Sequence, residues 1–236
     1  MKNITILLLV FAAQFSFAQS TDKVVDQYLS AMGGKSKLEG VKSMIASVEI
    51  NTMGADMQGK VWYKDPNKQY SEITVMGSRI VSGFDGEKGW MINPMTGSSA
   101  PIDMTDDQIA DSRKKGLRDM MLDLDGYQTE MIGDKSLNGQ TYTAIAFTDK
   151  STQTKVVKYF DPKTHLLAYD ETENGILGKV YVHYNDYKDI NGLKIAAQLD
   201  SYVDGNFETP MMSMKLTDIK LNEKIDDSRF KKPGVN

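Results

Sequence analysis

The sequence predicts a mainly β fold: a long antiparallel sheet that coils into a barrel or half-barrel, with one helix at the N-terminus and another inserted in mid-chain. Three observations predict it. After Ser43, apolar and polar residues alternate with a period of two over most of the chain. The strand-like runs are separated by turn dipeptides, and connections that short join antiparallel neighbours rather than crossovers. Several runs reach about ten residues, beyond the usual five or six, and long consecutive strands accumulate twist and curl.

The elements follow in order. Lys2 precedes an apolar run from Ile4 to Phe17 that ends at Ala18, before Gln19-Ser20. A positive start, a short apolar core and a small-residue cleavage site mark residues 1–18 as a signal peptide, too short to be a stable membrane span. No cysteine follows the cleavage site, so the exported chain is expected to be soluble and unanchored. A helix comes next, with Asp22 as its expected cap and Val24, Val25, Tyr28, Leu29 and Met32 at helical spacing, stopped by Gly33-Gly34. Residues 36–39 fit a second short turn with a capping box. Met44, Ala46, Val48 and Ile50 then alternate with Ser47, Glu49 and Asn51, and further strands are expected over 57–64, 69–76, 79–84 and 88–92. Asp65-Pro66 and Asp85-Gly86 read as turns, and residues 93–101 as a loop rich in Gly, Ser and Pro.

Thr105 and Gln108 make a capping box ahead of a helix expected over 105–124, with Asp106 and Asp107 suited to its positive end. Ile109, Leu117, Met120, Met121 and Leu124 form its apolar stripe. Gly116 inside it costs ~1 kcal/mol relative to Ala and is a natural joint. Strands return over 127–132, 141–148, 154–160, 165–171, 177–187, 193–203 and 207–220, punctuated by Asn138-Gly139, Asp161-Pro162, Asn174-Gly175, Asn191-Gly192 and Asp204-Gly205. No shift in composition marks a linker, and residues 19–236 read as a single domain.

Composition narrows the function. A net charge of −4 without a basic patch argues against nucleic acid as a partner. The chain has no cysteine, so neither disulfides nor thiol chemistry is available. It has 15 methionines against two tryptophans and eight phenylalanines. Methionine is adaptable, and it either lines cavities that accept variable apolar shapes or fills an ordinary core. His165 and His183 stand on different expected strands with no partner at metal spacing. Ser112 to Lys115 formally match S-x-x-K but lie on a charged helix without the companion motifs, and no G-x-S-x-G occurs. The thioethers of Met211, Met212 and Met214 are soft enough for Cu(I), yet Met212, Met214 and Leu216 share one strand face as a cavity or core wall would. Asp106-Asp107 and Asp226-Asp227 are explained by capping and turns. Nothing argues for an enzyme, a metal or a cofactor.

Several segments together are similar to the outer-membrane lipoprotein-sorting (Lol carrier-like) proteins of Gram-negative bacteria, in the form common in the Bacteroidetes lineage. They are Ala31-Met32-Gly33-Gly34-Lys35, the hairpin from Gly83 to Trp90, Phe160-Asp161-Pro162-Lys163-Thr164, the stretch from Tyr184 to Lys194, and the tail from Asp226 to Val235. The resemblance covers nearly the whole mature chain. It implies an open, curved antiparallel half-barrel sheet closed by helices, with the 105–124 helix as lid or plug, in a periplasmic protein that holds acyl chains of lipids or lipoproteins. One departure is that no strand arginine aligns with the one that latches the carrier's lid; Arg79, the only arginine on an expected strand, is the candidate. The expected lining is Met44, Val48, Ile50, Val61, Trp90, Ile92, Val180, Val182, Ile195, Leu199, Met212 and Met214 from strands, with Ile109, Leu117, Met120 and Met121 from the lid. The same residues would serve a filled core, and the alternative is then an envelope interaction or assembly module that binds another protein through its sheet. A monomer is expected in either case.

Overall fold

The computed structural model describes residues 21–52, 54–114 and 120–234. The signal peptide, Gly116 and Leu117 lie outside the described residues. Helix α1 covers residues 21–31, and α2 is Lys35–Glu39. The strands that follow are β1 (Ser43–Thr52), β2 (Ala55–Lys64), β3 (Lys68–Val75), β4 (Ser78–Phe84), β5 (Gly89–Asn93) and β6 (Ser98–Asp103). Helix α3 (Asp106–Lys114) precedes β7 (Tyr127–Leu137), β8 (Gln140–Asp149), β9 (Lys155–Phe160), β10 (Leu167–Asn174), β11 (Gly178–Ile190), β12 (Leu193–Val203) and β13 (Met212–Leu221). Short 3-10 turns occupy Pro94–Thr96, Met120–Leu122 and Asp227–Phe230.

All the strands join one 13-stranded sheet in the order β6-β5-β4-β3-β2-β1-β13-β12-β11-β10-β9-β8-β7. It consists of two meanders, β1 to β6 and β7 to β13, joined where β1 pairs antiparallel with β13. Strands β6 and β7 remain edges, so the sheet does not close into a barrel. Two-residue turns with both residues at positive φ close the tightest hairpins: Met76-Gly77, Asn138-Gly139 and Asn191-Gly192. Their twist matches that of the flanking strands.

Some boundaries differ from expectation for local reasons. Asp22 lies inside α1 rather than capping it, because residues 21–31 are helical. Strand β6 forms where a loop was expected. Its Pro101 is tolerated because β6 is an edge strand, which can forgo a ladder donor. His165 adopts φ +60 in the turn anchored by Asp161, so β10 begins only at Leu167. The capping box of α3 forms as the sequence predicts: Thr105 N–H donates to Gln108 Oε1 at 2.9 Å, and Gln108 N–H to Thr105 Oγ1 at 3.3 Å. The described helix nevertheless ends at Lys114.

Contacts cluster the chain into two compact units. The first holds α1, the described residues of Met120–Asn185, and Ser201–Pro210. On one sheet face it buries Ile145, Phe147 and Phe160, with Tyr28 of α1 edge-on to Phe160 at 5.5 Å. On the other it buries a tyrosine cluster, Tyr142, Tyr159, Tyr169 and Tyr181, against which Phe207 packs. The second unit holds the described residues of Ser36–Asp119, Asp186–Asp200 and Met211–Asn236. One of its faces is covered by the chain's own C-terminal segment. The fully buried Phe230 accepts a 3.0 Å hydrogen bond at its carbonyl from the Trp90 indole N–H. Arg229 lies 4.6 Å over Trp62 and 5.2 Å over Tyr70. Lys64 and Lys68 reach Asp227 at 2.6 and 3.0 Å.

Candidate functional site

The opposite face of the second unit is apolar, and strand register assembles it. Met44, Ala46, Val48 and Ile50 of β1 stand beside Tyr63, Val61, Gly59 and Met57 of β2. On the other side, Val48, Ile50 and Thr52 stand beside Leu216, Met214 and Met212 of β13. Directly paired residues point to the same side of a sheet. Met44, Val48, Ile50, Val61, Met212 and Met214 therefore share one face. Gln198 of β12 bonds Ser213 at 2.6 Å and Asp200 at 2.8 Å on the reverse face. Alternation then directs Ile195 and Leu199 to the apolar face. Register adds residues that the sequence reading missed: Met57, Ile73, Val75, Ile80 and Met91. The alternation Met57-x-Gly59-x-Val61 was the available signal.

Two expected lining residues face the other way. Trp90 pairs with Gly83 and Ile92 with Val81, which places both on the tail-covered face. Trp90 fits there because Gly83 lacks a side chain: a Cβ at Gly83 would lie 2.6 Å from the indole nitrogen. Trp90-Met91-Ile92 is apolar throughout, so its pattern carries no parity, and Met91 takes the place assigned to its neighbours.

Helix α3 meets this face at Gln69. Gln69, on that face through its pairing with Tyr63, donates a 2.6 Å hydrogen bond to the Ser112 carbonyl of α3. Ile109 is half-buried on this helix. Arg79 does not reach α3; it lies on the reverse face and bonds Glu72 at 2.8 Å. Burial alone would raise the Glu72 carboxyl, but Arg79 and the Tyr70 hydroxyl outweigh it and hold it low. Burial, reinforced by Glu72, pushes Tyr70 up to about 12.

The remaining expected residues belong to the first unit. Val180 and Val182 alternate with Tyr181 and His183 and so face away from the tyrosine cluster. Met120 and Met121 form a 3-10 turn, with Met121 buried. Beside Val182 the register also pairs Asp170 with Lys158, a site not read from the sequence. Lys158 Nζ donates to both Asp170 oxygens at 2.8 Å, and the Tyr184 hydroxyl donates to Asp170 at 3.0 Å. The signal was a lysine alternating with Val156 and Phe160.

Exposure separates the lining into two kinds. Val48, Trp90 and Met121 are buried. Every other described member, Met44, Ile50, Val61, Ile92, Ile109, Met120, Val180, Val182, Ile195, Leu199, Met212 and Met214, is only half-buried. A groove of about 750 Å³ on the second unit, lined by Glu49, Gln58, Thr74, Gln198 and Lys215 together with Ile50, Met57 and Met76, opens largely on the reverse face. Among the described residues no three His, Asp or Glu side chains converge on a metal site. His183 instead stacks on Tyr169 at 4.3 Å.

No protein-family model matches the chain, and no curated protein sequence matches it. Solved structures do. A DUF1329 family protein from Desulfovibrio piger superposes with a TM-score of 0.60 at 14% identity, covering 89% of this chain and 96% of that one. A domain described as an outer-membrane lipoprotein-sorting protein, from Vibrio parahaemolyticus, gives 0.59 at 11% identity, covering 88% and 97%. A LolA-superfamily protein from Nitrosomonas europaea gives 0.54 at 15% identity, covering 92% and 98%. The chain thus has the fold of the lipoprotein-sorting proteins that its sequence resembles.

Proposed function

We propose that this protein is a non-enzymatic periplasmic carrier that holds acyl chains of lipids or lipoproteins on the apolar face of its second unit, beneath α3. The observation that carries this reading is the half-burial of the lining. Residues of a filled core are sealed from water, as Val48 is, whereas Ile50, Val61, Met212 and Met214 beside it keep apolar surface available. Covering such surface is favourable. A 16-carbon chain contributes roughly 10 kcal/mol before ordering losses, at ~0.8 kcal/mol per CH₂, and needs no charged pocket. Methionine suits a guest of variable shape. The lipoprotein-sorting fold and the apolar leader at residues 4–17 support the same role and compartment. Native mass spectrometry of protein purified from the periplasm tests it. Co-purifying lipid, together with displacement of a fluorescent fatty acid, is expected. Lipid-free protein that fails to bind the fluorescent fatty acid refutes the reading.

A further inference from the structure

Several of the large apolar side chains that are exposed sit on hairpin tips, whereas Ile102 lies on the edge strand β6. Ile176, 94% exposed, and Leu177, 38% exposed, form the tip between β10 and β11 of the first unit. The tip is held in shape rather than loose. Asn174 Oδ1 accepts the backbone N–H groups of Ile176 and Leu177 at 2.9 and 3.0 Å. At its base, Lys179 N–H donates to Asp204 Oδ1 at 3.1 Å, and Asp204 N–H to the Lys179 carbonyl at 2.8 Å. The second unit, taken by itself, has the same feature. Met76, 78% exposed, occupies the first position of a two-residue turn at φ +48, and Met95, 54% exposed, sits in the turn between β5 and β6. The equivalent turn positions elsewhere carry Asn138 and Asn191, residues that tolerate positive φ. Met76 gives up both backbone comfort and hydration.

We propose that the tip formed by Ile176 and Leu177 inserts into the surface of a lipid bilayer. The occupant follows from area and charge. Two side chains on a convex tip fall far short of the ~1,000 Å² that a specific protein interface needs. A fluid bilayer requires no complementary shape and takes up each apolar side chain separately. The ammonium of Lys179 is engaged by Glu171 at 2.7 Å, and the carboxylates of Glu173 and Asp204 are also near the tip. Hydrophobic insertion rather than attraction to anionic headgroups therefore drives the contact. The Ile176–Leu177 tip shares no residue with the acyl-binding face, and the proposal does not rest on the carrier reading.

Flotation of the mature full-length chain with neutral vesicles of phosphatidylcholine and phosphatidylethanolamine tests it. The wild type is expected to partition onto the vesicles equally at low and high salt. Ile176→Ser with Leu177→Ser is expected to lower the partition coefficient about tenfold. A wild type that stays in solution, a double variant that binds equally well, or binding that requires anionic lipid and disappears in salt would each overturn the proposal. Ile176→Trp gives a second measurement on a fully exposed position: its added emission should shift to the blue with vesicles, and an unchanged emission counts against insertion.

Discussion

Two neighbouring positions on one strand face distinguish an open apolar surface from a filled core. Val48 and Ile50 lie two residues apart on β1, on the same side of the sheet, but Val48 is 2% exposed and Ile50 is half-buried. Val48→Asp removes a sealed side chain and places a carboxylate where water does not reach, at a cost of about 4 kcal/mol or more. Ile50→Asp gives up only part of a burial worth 1.5–3 kcal/mol when complete, and its carboxylate keeps hydration, so about 1–2 kcal/mol is expected. Urea denaturation followed by the emission of Trp62 and Trp90, both in the second unit, reads the difference. The folded Ile50→Asp protein should still bind a fluorescent fatty acid more weakly by about 2–3 kcal/mol, roughly 30- to 150-fold, because the carboxylate must lose its water to the acyl chain. Equal destabilisation by the two substitutions would show that the face is sealed and would remove the basis for the carrier reading. A folded Ile50→Asp protein with undiminished affinity would place the acyl site elsewhere.

Other expectations address the polar and aromatic framework. Asp170→Asn leaves the buried Lys158 ammonium without its counter-charge and should cost about 3–5 kcal/mol in urea denaturation, whereas Lys158→Met with Asp170→Leu should recover most of that loss. Gly83→Ala drives a Cβ into the Trp90 indole and disturbs its bond to Phe230, so a loss of about 2–3 kcal/mol with altered tryptophan emission is expected. Its effect on fatty-acid affinity should be small, since Trp90 lies on the reverse face. Burial opposes ionisation of Glu171, but hydrogen bonds from Lys179 and Tyr159 prevail and hold its folded-state carboxyl below the unfolded value. Its contribution is therefore present above the unfolded value near pH ~4.3 and is lost as pH falls through the folded one. Glu171→Gln should be less stable at neutral pH and should lose less stability on acidification to about pH 3.

Where a residue pattern has one physical cause, the fold was legible. Leu193 to Val203 alternates cleanly and is β12 to the residue. Thr105 and Gln108 could be named as reciprocal caps because their side chains have few other uses at that spacing. Legibility failed where a pattern has two solutions. Trp90-Met91-Ile92 is apolar on both faces, so only pairing with Gly83 and Ser82 decides which side each residue takes. Strand β6 is made by its partner β5 rather than by its own Ser- and Pro-containing sequence. Lys158 and Asp170 lie 12 residues apart and become a pair only through the β9–β10 register. Likewise, sequence could nominate Met44, Ile50, Met212 and Met214 as apolar, but half-burial is a property of what lies opposite them.

Uneven burial within one face of the second unit is the physical reason to expect a guest. On the face opposite the tail, Val48 and Phe84 are sealed, whereas Ile50 and Val61 are only half-buried. The tail brings Ile225 and Phe230, both buried, onto Trp90 and Trp62, and anchors itself through Arg229 and the Asp227 ion pairs. The helix that meets the other face at Gln69 reads Asp-Asp-Gln-Ile-Ala-Asp-Ser-Arg-Lys over its described residues, with Ile109 the one large apolar residue among them. Gln69 donates a hydrogen bond to its Ser112 carbonyl. Val61, Ile73, Met212 and Met214 on that face are each only half-buried. Those strands thus keep apolar surface that a guest can cover. An acyl chain removes that surface from water without asking the helix to become apolar.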